Sequence, residues 1–314
     1  MAMSKKDIHE KYSRAHSSDQ YSFFASSVIR RQMHEWGVSG TKFYDEAFEM
    51  LEVKPGESLL DIGTGSGFDL LKISKQYHPK KLVGLELPGI QDGLEDFENN
   101  FIPLRDAMRQ DNIDNIEVVP GYAQQMPFPN NSFDKIMAVH SLYEIPDLGR
   151  ALKETQRVLK PGGKFLVITN STHNRQRLHA YLRDMGIELN SLNPPPFSSS
   201  FRYHDAERVL SRYFKVTGKY RHDDLMRITE ERLSDYLVAI DTYRSSFVPQ
   251  IINDGRWLRA RAKIVESPMR DEINSHGEAY DTIDIGAILC ENAYLSPAQR
   301  LLGRVGLGNT AKYV

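Results

Sequence analysis

The chain has 314 residues, of which 40% are hydrophobic and 26% are charged, and its formal net charge is −2. This balance is typical of a globular protein and gives no reason to expect a nucleic-acid partner, which would favour a strongly basic face. A single cysteine, Cys290, excludes a disulfide within the chain and favours a reducing, cytoplasmic location. The sequence has neither the apolar run of about 18 residues that a membrane span needs nor a signal-peptide core, so we expect no membrane partner.

The first predicted helix lies before the first strand. Phe43, Ala47, Met50 and Leu51 recur at the spacing of one buried helix face. The helix is expected to stop at residues 54–56, where the sequence Lys-Pro-Gly breaks the pattern. We therefore expect a helical segment at the N-terminal end of the chain.

The next stretch predicts a strand, a glycine turn and a second helix. Residues 58–62 are mostly apolar, and Gly63, Gly65 and Gly67 follow them directly. Glycines let the backbone turn tightly and let a ligand lie directly on it. The start of the helix behind them offers free N–H groups. This order of elements predicts a nucleotide-type cofactor site at the carboxyl edge of a parallel sheet.

The glycine spacing distinguishes between two cofactors. A dinucleotide fingerprint is G-x-G-x-x-G, but its third glycine would fall at position 68, which is Phe68. Asp61 lies two residues before the first glycine, and a carboxylate there suits a ligand that carries a cation near the turn. S-adenosylmethionine (SAM) has an ammonium, a sulfonium and no phosphate. The spacing therefore favours SAM over NAD.

Six more strands are expected along the chain. Residues 81–86 form a nearly continuous apolar run that ends in Glu86, and a carboxylate at that place can accept both ribose hydroxyls of a nucleoside. The remaining strands are predicted at residues 116–120, 135–140, 164–169, 214–220 and 280–290. Helices are predicted between them, starting or breaking at Pro103, beginning at Asp147 and beginning at Thr229.

Several motifs together carry a resemblance to a known family. Two segments resemble motifs of the class I SAM-dependent methyltransferases: LDIGTGSG at residues 60–67 and LKPGGKFLVIT at residues 159–169. Within that class, the resemblance is to the small-molecule methyltransferase domains of types 11 and 12. The loop at residues 121–134 is similar to the family's G-D-A-x-x-L-P-F-P-D-x-S-F-D, with one departure. The aspartate that takes the adenine amino group in the family is Tyr122 here, which puts that single contact in doubt.

The resemblance implies an α/β fold with a Rossmann-like, doubly wound, seven-stranded sheet. The implied strand order is 3-2-1-4-5-7-6, with strand 7 antiparallel and helical cap additions. Residues 1–50 would form an N-terminal helical lid and residues 51–221 the SAM-binding core. Residues 222–279 would form a helical cap insertion, and residues 280–314 the final strand and a tail. The apolar residues of that tail would dock on the core or contact a second copy in a homodimer.

The resemblance also implies which residues bind SAM. They belong to the N-terminal segment, the glycine turn and the ends of strands two, three and four: Tyr21, Asp61, Gly63, Thr64, Gly65, Gly67, Glu86, Leu87, Ala123, Gln124 and His140.

Four residues are candidates for proton transfer, because they are expected near the carboxyl ends of strands four and five: His140, Tyr143, Glu144 and His173. Tyr143 and Glu144 occupy places where the family often has a pair of histidines, so no catalytic histidine is imported from the resemblance at those positions. We predict no metal. The main hypothesis is methyl transfer from SAM to a small-molecule acceptor by in-line displacement. The alternatives are a SAM-binding protein that transfers no methyl group and an NAD-dependent oxidoreductase, which Phe68 disfavours.

Overall fold

The computed structural model describes residues 29, 31–87, 101–177, 180, 201–247 and 262–293. Tyr21, most of the predicted lid and the tail beyond residue 293 lie outside the described residues. The described helices include none with the length and apolar character needed to cross a bilayer.

A seven-stranded sheet with the order β3-β2-β1-β4-β5-β7-β6 forms the centre of the described structure. Strands β1 to β5 pair in parallel, and β7 runs antiparallel to both β5 and β6. The predicted strand order and the antiparallel seventh strand are therefore confirmed. The strands are β1 Ser58–Ile62, β2 Lys81–Glu86, β3 Ile116–Pro120, β4 Phe133–Val139, β5 Leu159–Asn170, β6 Lys215–Ile228 and β7 Ala279–Glu291.

Helices cover both faces of the sheet. They are α1 Phe43–Glu49, α2 Phe68–Tyr77, α3 Ile102–Asp111, α4 Leu148–Val158, α5 Tyr203–Leu210, α6 Glu230–Phe247 and α7 Ser267–His276. A short 3₁₀ helix at Leu142–Glu144 follows β4, and a π-helical turn at Ala262–Glu266 precedes α7. Helix α4 begins as predicted, because the Asp147 side chain accepts a hydrogen bond from the Arg150 N–H at 2.9 Å.

The sheet separates two hydrophobic cores. Alternate residues of β5 point to opposite faces, so Leu166 and Ile168 join one core while Phe165 and Val167 join the other. This two-sided burial explains why the central strands are near-continuous apolar runs in the sequence. The first core also contains the fully buried face of α1, so the helix before β1 is an integral part of the folded domain.

Strand β6 is longer than the predicted 214–220. It pairs with β7 from Lys215 to Ile228, because the antiparallel partner satisfies the backbone of a segment whose side chains are largely polar. The strand thus continues past position 221, where the predicted SAM-binding core ends. The division of the chain into lid, core, cap insertion and final strand with tail remains a prediction. Strand β5 also begins earlier than predicted, since Leu159 already pairs with Phe133.

Residues before α1 extend the sheet edge beside β6. The Val38 N–H donates to the Leu225 carbonyl at 2.9 Å, and the Arg227 N–H donates to the Trp36 carbonyl at 2.9 Å. These bonds hold the segment that carries Arg31 and His34 against the body of the domain. The N-terminal segment can therefore place side chains close to the carboxyl ends of the strands.

Candidate functional site

The glycine turn after β1 is anchored to the end of β2. The N–H groups of Gly63 and Thr64 both donate to the Leu85 carbonyl, at 2.8 and 3.2 Å. Gly63, Gly65 and Gly67 have φ values of 72°, 55° and 74°, in the left-handed region that glycine adopts without strain. Glycine therefore lets the backbone adopt this turn without strain at all three positions.

The three glycines differ in what surrounds them. A Cβ at Gly63 would lie 2.5 Å from the Ser141 Cβ, and one at Gly67 would lie 2.5 Å from a methyl of Leu104. A Cβ at Gly65 would have no neighbour within 4 Å. Gly63 and Gly67 thus permit close packing inside the protein, whereas Gly65 presents bare backbone to open space.

Asp61 lies at the end of β1, directly before this turn, and only 2% of its surface is exposed. Its Oδ1 atom makes no well-formed hydrogen bond, although the buried Thr64 hydroxyl lies close enough to act on the carboxyl and lower its pKa. Burial, together with the negative charge of Asp69, raises the pKa of Asp61 to about 8. A buried carboxyl with an unpartnered oxygen is a ready acceptor for an incoming cationic group.

Glu86, at the end of β2, is bonded to the turn. One carboxylate oxygen accepts the Gly65 N–H at 2.7 Å and the other accepts the Leu87 N–H at 3.0 Å. Burial raises the pKa of Glu86 even though both hydrogen bonds act to lower it. The Leu87 side chain beyond it is 49% exposed.

The loop after β3 lies next to Glu86. The Gly121 N–H donates to the Glu86 carbonyl at 2.9 Å, and a tight turn follows in which the Gln125 N–H donates to the Tyr122 carbonyl at 2.9 Å. Within that turn Ala123 is buried and Gln124 is half-buried. The structure therefore brings the predicted cofactor residues of β1, β2 and β3 to one edge of the sheet.

His140 follows β4 at the same edge and belongs to a buried polar cluster. Its Nε2 lies 2.9 Å from the Tyr44 hydroxyl, which also lies 2.5 Å from His34 Nδ1. The His140 backbone has a φ of 53° and its N–H donates to the Ile168 carbonyl. Tyr44 and His34 were not predicted as site residues, because both lie in an N-terminal segment whose pattern indicates only a packed helix.

Arg31 connects this cluster to the glycine turn. Its guanidinium forms a partly buried ion pair with Asp69, in the first turn of α2, and lies 4.1 Å from the centre of the Tyr44 ring. Burial alone would lower the pKa of Arg31, but the neighbouring Asp69 and Tyr44 outweigh it and the net shift is upward. Arg31 is therefore a fixed positive charge beside the Tyr44 hydroxyl.

The other three candidates for proton transfer lie in different surroundings. Tyr143 is half-buried and packs against the second core, whereas Glu144 is exposed on the 3₁₀ helix. The His173 side chain is 61% exposed, and its Nδ1 lies 3.5 Å from an Asp284 oxygen. In the described part of the chain no group of three or more His, Cys, Asp or Glu side chains could hold a metal ion.

Comparison with known proteins relates this part of the chain to a protein family. A family model described as a methyltransferase domain matches residues 60–167, which run from β1 into β5. The chain carries a class I SAM-dependent methyltransferase domain. The recognition made from the motifs is thereby confirmed.

Individual relatives of this methyltransferase domain cover only parts of the chain. A demethylmenaquinone methyltransferase of Listeria welshimeri is 30% identical over 162 residues, which are 50% of this chain and 63% of that protein. The sterol 4-C-methyltransferase strm-1 of Caenorhabditis elegans is 38% identical over 121 residues, which are 38% of this chain and 33% of that protein. The chain thus spans less than two thirds of the length of these curated relatives.

Solved structures agree with the fold of the methyltransferase domain. A methyltransferase structure from Bacillus halodurans has a TM-score of 0.52 at 16% identity, and the match covers 79% of this chain and 98% of that one. The YcgJ protein of Bacillus subtilis has a TM-score of 0.51 at 14% identity, with 80% and 98% covered. At such low identities these likenesses support the architecture alone.

Proposed function

We propose that the protein transfers a methyl group from SAM to a small-molecule acceptor by in-line displacement. The observation that carries this proposal is the buried Asp61 carboxyl, which has an unpartnered oxygen at the same turn as the open backbone of Gly65. When bound, SAM supplies a methyl group on a sulfonium, which is a good leaving group. The protein must then align the acceptor with that methyl group and exclude water.

The charges around the turn suit SAM better than a dinucleotide. Asp69 and Glu86 both lie close enough to Asp61 to raise the pKa of its carboxyl. A pyrophosphate placed among them would be repelled, whereas an ammonium or sulfonium would be attracted. The same carboxylates therefore count against the NAD-dependent alternative.

The proposal assigns parts of the site to parts of SAM. Asp61, Thr64 and the Gly65 backbone would hold its amino acid portion, and Glu86 would hold the ribose. The rest of the cofactor site would be lined by Leu87, Ala123, Gln124 and His140. Gly63 and Gly67 would shape the glycine turn. Tyr21, which lies outside the described residues, remains a predicted contact.

The acceptor is proposed to be a small molecule, and the names of the relatives indicate the first compounds to test. Demethylmenaquinone and a sterol would represent the two named activities. We also propose a cytoplasmic location, since the single cysteine fits a reducing compartment. A homodimer formed through the tail remains a prediction.

A matched pair of glycine variants tests the cofactor site. Gly65 and Gly162 both have a positive φ, and a Cβ at either position would meet nothing within 4 Å. Gly65→Ala and Gly162→Ala should therefore carry a similar backbone strain of about 1–2 kcal/mol. Only Gly65→Ala should weaken SAM binding in titration calorimetry, because only there does the added methyl intrude where the ligand lies.

Three outcomes would contradict the proposal. Equal SAM affinity in both variants, or binding of NAD in place of SAM, would remove the cofactor assignment. Tight SAM binding without transfer of a labelled methyl group to any acceptor of a broad panel would support the non-catalytic alternative instead.

A further inference from the structure

Arg31 is a cation beside the glycine turn, and it comes from a segment outside the family model, which matches residues 60–167. Its guanidinium pairs with Asp69 in the first turn of α2, and the side chains of this pair are 15% and 7% exposed. The guanidinium also lies over the Tyr44 ring. Its position is therefore fixed from two sides, while part of its surface remains accessible.

Arg31 also acts on the carboxyl at the end of β1. Its positive charge lowers the pKa of Asp61, whereas the charges of Asp69 and Glu86 raise it. A carboxyl and a guanidinium thus lie close to each other at the turn. The backbone of Gly65, where an added Cβ would meet nothing within 4 Å, belongs to the same turn.

The amino acid end of SAM carries the complementary pair of charges. Its ammonium and its carboxylate are attached to the same carbon atom, so a site that binds the ammonium through Asp61 must accommodate the carboxylate close by. The acidic side chains of the turn would repel that carboxylate unless a cation faced it. Arg31 suits this role, because a guanidinium has five N–H donors in a planar fork and the ion pair with Asp69 engages Nη2, at one end of the fork.

We propose that Arg31 binds the carboxylate of SAM and that the N-terminal segment thereby completes the cofactor site. The ammonium lies on Asp61, and the carboxylate lies between Arg31 and the open backbone of Gly65. This inference rests on the proposed function and adds to it the group that recognises the negative charge of the cofactor. It makes the site selective for SAM over the same compound without its carboxylate.

The first test compares two cofactors on the unmodified protein. Decarboxylated SAM has the same nucleoside, sulfonium and amino group and lacks only the carboxylate. Titration calorimetry at pH 7 should show that SAM binds about 10- to 100-fold more tightly, as expected for hydrogen bonds between charged groups. Equal affinities, or tighter binding of decarboxylated SAM, would overturn the inference alone. Binding of neither compound would contradict the proposed function as well, so the two failures are distinguishable.

The second test removes the guanidinium. Arg31→Met keeps an unbranched apolar stem over Tyr44 but carries no charge. It should weaken SAM binding by about the same factor and leave decarboxylated SAM bound at least as tightly, so the preference should disappear. Arg31→Lys keeps the charge without the planar fork and should retain part of the preference. A full preference in Arg31→Met would refute the assignment, and if that variant does not fold, a full preference in Arg31→Lys would refute the role of the fork.

Arg221→Met is the matched control. The Arg221 Nε also donates to a buried carboxylate, since it lies 2.9 Å from an oxygen of Asp284, whose side chain is fully buried. Arg221 belongs to β6, which three strands separate from β1. This variant should therefore keep the full preference for SAM. Loss of the preference to the same extent as in Arg31→Met would mean that any unpaired buried carboxylate has this effect, and would overturn the inference.

A third measurement needs no variant. The segment of residues 31–38 is bonded to β6 through the Val38 N–H and the Trp36 carbonyl, so a cofactor bound to Arg31 connects this segment to the glycine turn. SAM should slow hydrogen exchange of the backbone amides of residues 31–38, and decarboxylated SAM should slow it less. Exchange that both compounds slow equally, or that neither slows, would contradict the contact with Arg31.

Discussion

The affinity for SAM should depend on pH through Asp61. Because the pKa of Asp61 is about 8 in the protein without cofactor, only about a tenth of the molecules carry the carboxylate at pH 7 and about a hundredth at pH 6. An ammonium bound at Asp61 requires the ionised form. We therefore expect SAM to bind about ninefold more tightly at pH 7 than at pH 6, with release of about 0.9 proton per SAM at pH 7. Above about pH 8 the amino group of free SAM loses its own proton, so the affinity should fall again.

Titration calorimetry in two buffers with different heats of ionisation measures both quantities. Asp61→Asn should bind SAM more weakly at pH 8 and should lose the proton release. A smaller slope that remains in this variant would belong to Glu86, whose pKa burial also raises, and Glu86→Gln separates that contribution. A wild-type affinity that is flat between pH 6 and 8, or a slope that Asp61→Asn leaves intact, would refute the reasoning.

Three further predictions concern stability. The folded-state pKa of Asp61 lies above its unfolded value, so the native protein loses stability as the pH rises from about 4 to 8. Asp61→Asn should therefore raise the melting temperature of the cofactor-free protein at pH 8 and change it little at pH 4. Asp147→Ala removes the hydrogen bond to the Arg150 N–H and should cost about 1 kcal/mol, seen as a lower urea midpoint with an unchanged slope. Gly286→Ala would place a Cβ 2.1 Å from the Tyr203 ring and should destabilise by about 1–3 kcal/mol, whereas an unchanged melting curve would mean that α5 packs more loosely on β7 than the structure shows.

The parts of the fold that sequence alone predicted are those with local signals. The strand, glycine turn and helix around Gly65 lie within about 20 residues, and the apolar run that ends at Glu86 follows directly. Periodicity and turn chemistry act over such distances. The order of the strands came from the resemblance, since no local pattern specifies which strands become neighbours.

The end of β6 illustrates what local patterns cannot predict. Beyond Tyr220 the strand carries His, Asp and Arg side chains in succession, which lack the alternation of a half-buried strand. Its regularity depends on β7, which pairs with it residue by residue but lies more than 50 residues further along the chain. Pairing of this kind satisfies the backbone whatever the side chains are, so composition gives no sign of it.

Tyr44 shows why the polar cluster escaped prediction. It follows Phe43 in the apolar face of α1, and it is fully buried, as a core residue would be. A buried tyrosine nevertheless needs a partner for its hydroxyl, and its partners His34 and His140 lie 10 and 96 residues away. Phenylalanine would fill the same space without imposing either requirement. Packing alone therefore does not explain the hydroxyl, and the residues bonded to it are where a chemical role for the N-terminal segment should be sought.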